Sequence, residues 1–69
     1  MEEYWKMFVD AWRLFRKYAS KFSMTEMDYQ ELARDTMVLG NRHPSQFFRK
    51  LQVLIVDEIE RIHRREEDG

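Results

Sequence analysis

Between Tyr4 and Phe22 apolar residues return at every third or fourth position, and that spacing dictates an amphipathic helix. Trp5, Phe8, Trp12, Phe15, Ala19 and Phe22 form one row, and Tyr4, Met7, Ala11, Leu14 and Tyr18 fill the row beside it. Together they cover about half the helix circumference, wider than the ~100° stripe of an ordinary surface helix. Lys6, Asp10, Arg13, Arg16, Lys17 and Lys21 take the other half. An apolar face of that width is expected to touch two neighbours.

Two further segments supply them. The second opens near Ser23 to Thr25, where Ser23 with Glu26 fits a capping box and Thr25 with Asp28 fits a weaker form, so either hydroxyl can begin the helix. Tyr29, Leu32, Ala33, Thr36 and Leu39 form its face, and Gly40 is read as the left-handed residue that ends it. Pro44, with φ already set and no N–H to donate, fits the first position of a third helix capped by His43. Phe47, Phe48, Leu51, Leu54, Ile55 and Ile62 then keep to one side, with Ile59 at its edge. Short connections favour antiparallel neighbours. The expected fold is all-α: a three-helix up-down-up bundle with helices at about 2–21, 25–39 and 44–65, forming one domain over 1–69 whose residues 66–69 fray.

A hydrophobic content of 43% places the chain among folding sequences, and its five Phe, two Trp and three Tyr are expected to carry the core. Cysteine is absent, so neither a disulfide framework nor a thiolate zinc site holds 69 residues together. No apolar run reaches the ~18 residues of a membrane span, and Met1 leads into Glu2 and Glu3 rather than a basic, then apolar, leader; the expectation is a cytoplasmic protein without membrane contact. A net charge of -1 disfavours nucleic acid as a partner.

The chemistry-bearing residues are few. Glu60 and His63 have the E-x-x-H spacing of di-iron bundles, but no second copy accompanies them and Glu60 projects to the solvent side, so a solvated helix face is expected. His43 lies between Arg42 and Pro44 with Ser45 too near to be a triad nucleophile, and the two glycines make no phosphate loop. No catalytic residue, metal, cofactor or small-molecule substrate is implied. Glu58 projects inside the apolar arc of the third helix, where a carboxylate needs a hydrogen bond or a proton, and is a candidate polar contact. Val53 and Val56 project away from that arc, on the side of Ile59 and His63; this row is the candidate protein-contact surface. Lys6, Arg13, Arg16, Lys17 and Lys21 form an alternative phosphate-contact face.

With W-x-x-F-x-x-A-W-R-L-F-R-K-Y from Trp5 to Tyr18 and D-E-I-E-R-I from Asp57 to Ile62, the chain resembles short uncharacterised helical proteins of Gram-positive bacteria and their mobile elements. The resemblance covers the outer helices, implies an intracellular bacterial accessory protein, and carries no activity onto particular residues. The function expected is therefore a non-enzymatic protein–protein interaction module whose partner is another protein or a second copy. The alternative is a small nucleic-acid-associated regulator using the basic side of the first helix.

Overall fold

A computed structural model describes the backbone of residues 1–68 and the side chains of residues 1–64. It has three helices, α1 (Glu2–Ala19), α2 (Glu26–Arg42) and α3 (Gln46–Asp68), and no strand among the described residues. Contacts along the chain fix their directions. Tyr4 meets Phe47 near the starts of α1 and α3, and Tyr18 meets His63 farther along both, so these two helices run parallel. Lys21 pairs with Asp28, and Asp10 with His43, so α2 runs antiparallel to α1. The seam between α1 and α3 is the most extensive of the three. The three-helix bundle expected from periodicity is the fold.

The helix ends show which local signals prevailed. Glu2 and Glu3 in the first turn of α1, and Arg16 and Lys17 in its last, complement the helix dipole. Thr25, rather than Ser23, caps α2: its hydroxyl accepts from the Asp28 N–H at 3.2 Å while Asp28 accepts from the Thr25 N–H at 2.9 Å. Gly40 does not end α2. It sits inside the helix with an ordinary negative φ, and α2 continues to Arg42. What stops it is Pro44, which disfavours helical backbone at the preceding residue; His43 accordingly takes φ -123° and ψ 77°. Nor is His43 the cap of α3, or Pro44 its first residue. Ser45 does the capping, its Oγ accepting from the Phe48 N–H at 3.1 Å. The third helix runs to Asp68, past the end expected near Arg65, and Gly69 lies outside the described residues.

The core has two parts. Leu14, Tyr18, Leu32 and Ile59 form one, and Met7, Ala11 and Phe48 the other; Leu39 and Ile55 pack against both and join them. On α1, the row Met7, Ala11, Leu14, Tyr18 is thus the buried one. The aromatic row expected to carry the core lies largely in solvent, with Trp5 70% and Trp12 57% exposed and Phe8 half-exposed. The small Ala11 side chain lets a neighbouring helix approach on the buried row, whereas indoles there would hold it off.

On α3 the buried face is turned by about one residue from the apolar arc. Phe48, Gln52, Ile59 and His63 are buried, Phe47 is exposed, and Leu54 is 66% exposed. Two of those four are polar, which hides the face from a hydrophobic pattern. Each finds a backbone acceptor: Gln52 Nε2 donates to the Thr36 carbonyl at 3.1 Å, and His63 Nε2 lies 2.7 Å from the Tyr18 carbonyl oxygen. A buried polar group so bonded avoids most of its desolvation cost.

Candidate functional site: an aromatic face on the first and third helices

The residues displaced from the core gather on one side of the molecule. The Phe47 ring stands edge-on to Tyr4 at 5.4 Å and to Phe8 at 5.8 Å between ring centres, a favoured aromatic geometry that ties the start of α3 to α1. Trp12 and Phe15 continue the row along α1, their rings 6.2 Å apart. Trp5 lies one turn from Phe8, and Leu54 lies two turns beyond Phe47 on the same side of α3. Solitary apolar residues on a surface need no explanation, but the touching rings of Tyr4, Phe8 and Phe47, with Trp12 one turn beyond Phe8, do.

Ionic contacts hold α2 to the opposite side of α1. Asp35 accepts from the Tyr18 hydroxyl at 2.6 Å and from Lys17 Nζ at 2.9 Å. Burial works to raise the Asp35 pKa, but these two donors outweigh it and hold the carboxyl below its usual value. Burial, then the bond to Asp35, pushes the Tyr18 hydroxyl up to about 12. At the other end of α2, Asp10 lies 2.7 Å from His43 Nε2 and 3.5 Å from the Arg42 guanidinium. The wide face of α1 does touch two neighbours, meeting Leu32 of α2 and Phe48 and Ile59 of α3. Its buried row and polar flank take α2 and α3, and the aromatic row is left over.

The candidate contact row is split by the structure. Ile59 is fully buried and His63 is 2% exposed, so neither belongs to a surface. Both were misplaced because the centre of the buried face carries the polar residues Gln52 and His63. The E-x-x-H pair is separated for the same reason: His63 faces the Tyr18 carbonyl rather than solvent. Val53 remains exposed, and Val56, partly buried against the core, lines with it an open groove of about 530 Å³ between α2 and α3 that Ala33, Thr36, Met37 and Asp57 also line. Glu58 is not enclosed in the apolar arc. It is partly exposed and paired with Arg61, whose Nε donates to Oε1 at 3.0 Å and whose Nη2 contacts Oε2. The hydrogen bonds from Arg61 hold its carboxyl below the usual range.

The five cations of the alternative phosphate face do not act as a set. Lys17 is committed to Asp35 and Lys21 to Asp28 at 3.4 Å. Lys6, Arg13 and Arg16 have no ion-pair partner among the described residues. Lys6 and Arg13 line an open cleft with Trp5, Asp10, Arg42 and His43. Among the described residues no group of three or more His, Asp or Glu is placed to hold a metal ion, and no helix is long and apolar enough to cross a membrane. The chain matches no protein-family model, no curated protein and no solved structure.

The aromatic row itself was plain in the sequence. Which of the two α1 rows would be buried was not, since both have helical spacing. The available signal was side-chain size: the row containing Ala11 packs closely and the row with two indoles does not.

Proposed function

We propose that this chain is a non-enzymatic interaction module that binds another polypeptide through the aromatic face of α1 and α3. The observation that supports the reading is the exposure of Tyr4, Phe8, Phe47 and Trp12, three of them in ring contact, on one side of a folded domain. Trp, Tyr and Phe are the residues enriched at protein interfaces, because each contributes a large apolar area with few rotatable bonds. The commitment of Lys17 and Lys21 to carboxylates weighs against the nucleic-acid alternative, leaving three cations where a phosphate-tracking groove needs a continuous set. A cytoplasmic accessory role in a bacterial cell agrees with the resemblance of the outer helices.

Site-specific photocrosslinking tests the reading. A benzophenone side chain placed at Trp12 in cells producing the protein is expected to yield discrete polypeptide adducts, whereas the same group at Glu31, an exposed residue of α2, yields none. Equal labelling at both positions, or none at Trp12, overturns the proposal.

A further inference from the structure

We infer that the recess between the end of α2 and the start of α3 binds a small carboxylate that carries a neutral N–H or O–H donor on the neighbouring carbon. The recess shares no residue with the aromatic face, and the inference does not depend on that face.

The first support is a buried acceptor left without a donor. Gln52 is 8% exposed, and its Nε2 donates to the Thr36 carbonyl at 3.1 Å, which fixes the other end of the amide as the acceptor Oε1. No described residue donates to that oxygen. It is not sealed in the core either, for it faces Gly40, where a Cβ would stand 3.7 Å from it, and both residues line the recess. The missing side chain at position 40 is what leaves the oxygen accessible. An acceptor so placed calls for a donor from outside the chain. The recess holds about 210 Å³, below the ~300–1,000 Å³ of pockets that take drug-sized ligands, so that donor belongs to a small molecule or to the tip of a larger one.

The second support is charge. Arg49 lines the same recess, has no ion-pair partner among the described residues, and no carboxylate lines it beside Arg49. The clefts of α1 and α2 differ, since Arg13 and Arg42 share both of them with Asp10. The start of α3, capped by Ser45 and without an acid in its first turn, adds a positive field. An anion is favoured, and a planar guanidinium matches a carboxylate best. The group over Gly40 is of another kind, because Gln52 Oε1 repels a second anionic oxygen and accepts from a donor. An ammonium there would face Arg49 with no acid to offset it, which leaves a neutral N–H or O–H. Arg49 and Gln52 are three residues apart on α3, with Cβ atoms about 5–6 Å from each other, a span that one molecule with both groups on adjacent carbons covers. The last residue of a polypeptide chain has this chemistry through its amide N–H. A free 2-hydroxy acid has it through its hydroxyl.

NMR titration of the full chain, read at the Gly40 backbone amide and the Gln52 side-chain amide, tests the inference. N-acetylglycine, lactate or both are expected to shift the two signals saturably, with a Kd of about a millimolar for so few atoms. Tighter binding of N-acetylglycine assigns the recess to a chain end, and tighter binding of lactate to a free hydroxy acid. Acetate, which lacks the donor, and N-acetylglycinamide, which lacks the charge, are expected to bind about tenfold more weakly or worse. Arg49→Leu removes a solvent-facing side chain and weakens binding by a similar factor, while Gly40→Leu fills the recess and abolishes it. Gly40→Ala, which the helix accommodates, weakens binding without loss of fold and keeps the test valid if the leucine variant unfolds. No saturable shift with either ligand, acetate binding as well as both, or binding indifferent to Arg49→Leu or Gly40→Ala in the folded variants overturns the inference.

Discussion

His63 Nε2 lies 2.7 Å from the carbonyl oxygen of Tyr18, joining buried faces of α3 and α1 across 45 residues of chain. A carbonyl only accepts, so that nitrogen carries the proton. The Tyr18 carbonyl belongs to the last turn of α1, where oxygens have no partner within the helix, and it also accepts from the Lys21 N–H at 3.3 Å. The imidazole is therefore a C-terminal cap delivered from another helix.

His63→Ala removes both that bond and the buried ring. The expected loss is roughly 2–4 kcal/mol of unfolding free energy, combining a cavity with a lost buried hydrogen bond. Urea denaturation followed by circular dichroism measures it. A loss within ~0.5 kcal/mol would mean that His63 contributes nothing beyond surface polarity.

Gly40 offers a change of opposite sign. It is helical, and a Cβ built there meets only the Gln52 side-chain oxygen, at 3.7 Å, an ordinary contact. Gly40→Ala is expected to stabilise the fold by about 0.5–1 kcal/mol, by removing backbone freedom from the unfolded chain. Destabilisation in a thermal melt would show that position 40 needs glycine's conformational range after all.

These two residues show how far the sequence could be read. Three helices and their up-down-up order follow from period and connection length, and the structure has both. Gly40 was misread because a glycine followed by a polar loop looks the same whether the helix stops at once or runs on to the residue before a proline. The buried face of α3 was misread because His63 and Gln52 score as surface residues until their backbone acceptors are known. On α1 the pattern identified every apolar position but left both rows equally eligible for the core, and choosing between them required the packing around Ala11.

The Tyr18–Asp35–Lys17 cluster makes stability depend on pH at both extremes. Tyr18 keeps its proton up to about 12 in the folded state, against 10.0 for the free side chain. Its contribution is complete below pH 10 and is lost as pH rises towards 12, on the order of 2 kcal/mol. Lys17, held up chiefly by its hydrogen bond to Asp35, adds to the same alkaline loss. On the acid side the lowered Asp35 pKa gives a contribution present above its ordinary 3.8 and lost as pH falls through the folded value. Denaturant titrations from pH 7 to 12 are expected to show a flatter alkaline limb in Tyr18→Phe than in the parent. Identical limbs would exclude Tyr18 as the titrating group.

Thr25 and Ser23 separate two readings of one helix start. Only Thr25 exchanges hydrogen bonds with Asp28, so Thr25→Ala is expected to cost about 1 kcal/mol and Ser23→Ala a few tenths at most. Matching losses in the two variants by chemical denaturation would contradict the capping box at Thr25.

Phe47 and Phe48 are adjacent, identical in chemistry and opposite in role, and so they test how α3 is turned. Phe48 is fully buried beside Met7 and Ala11, while Phe47 is exposed and touches Tyr4 and Phe8 only at ring edges. Phe48→Ala opens a cavity between α1 and α3 and is expected to cost roughly 3–5 kcal/mol, a large share of the stability of a 69-residue domain. Phe47→Ala loses edge contacts worth about 1 kcal/mol. Equal losses in the two variants, measured by urea denaturation, would return both rings to one core and remove the exposed face altogether.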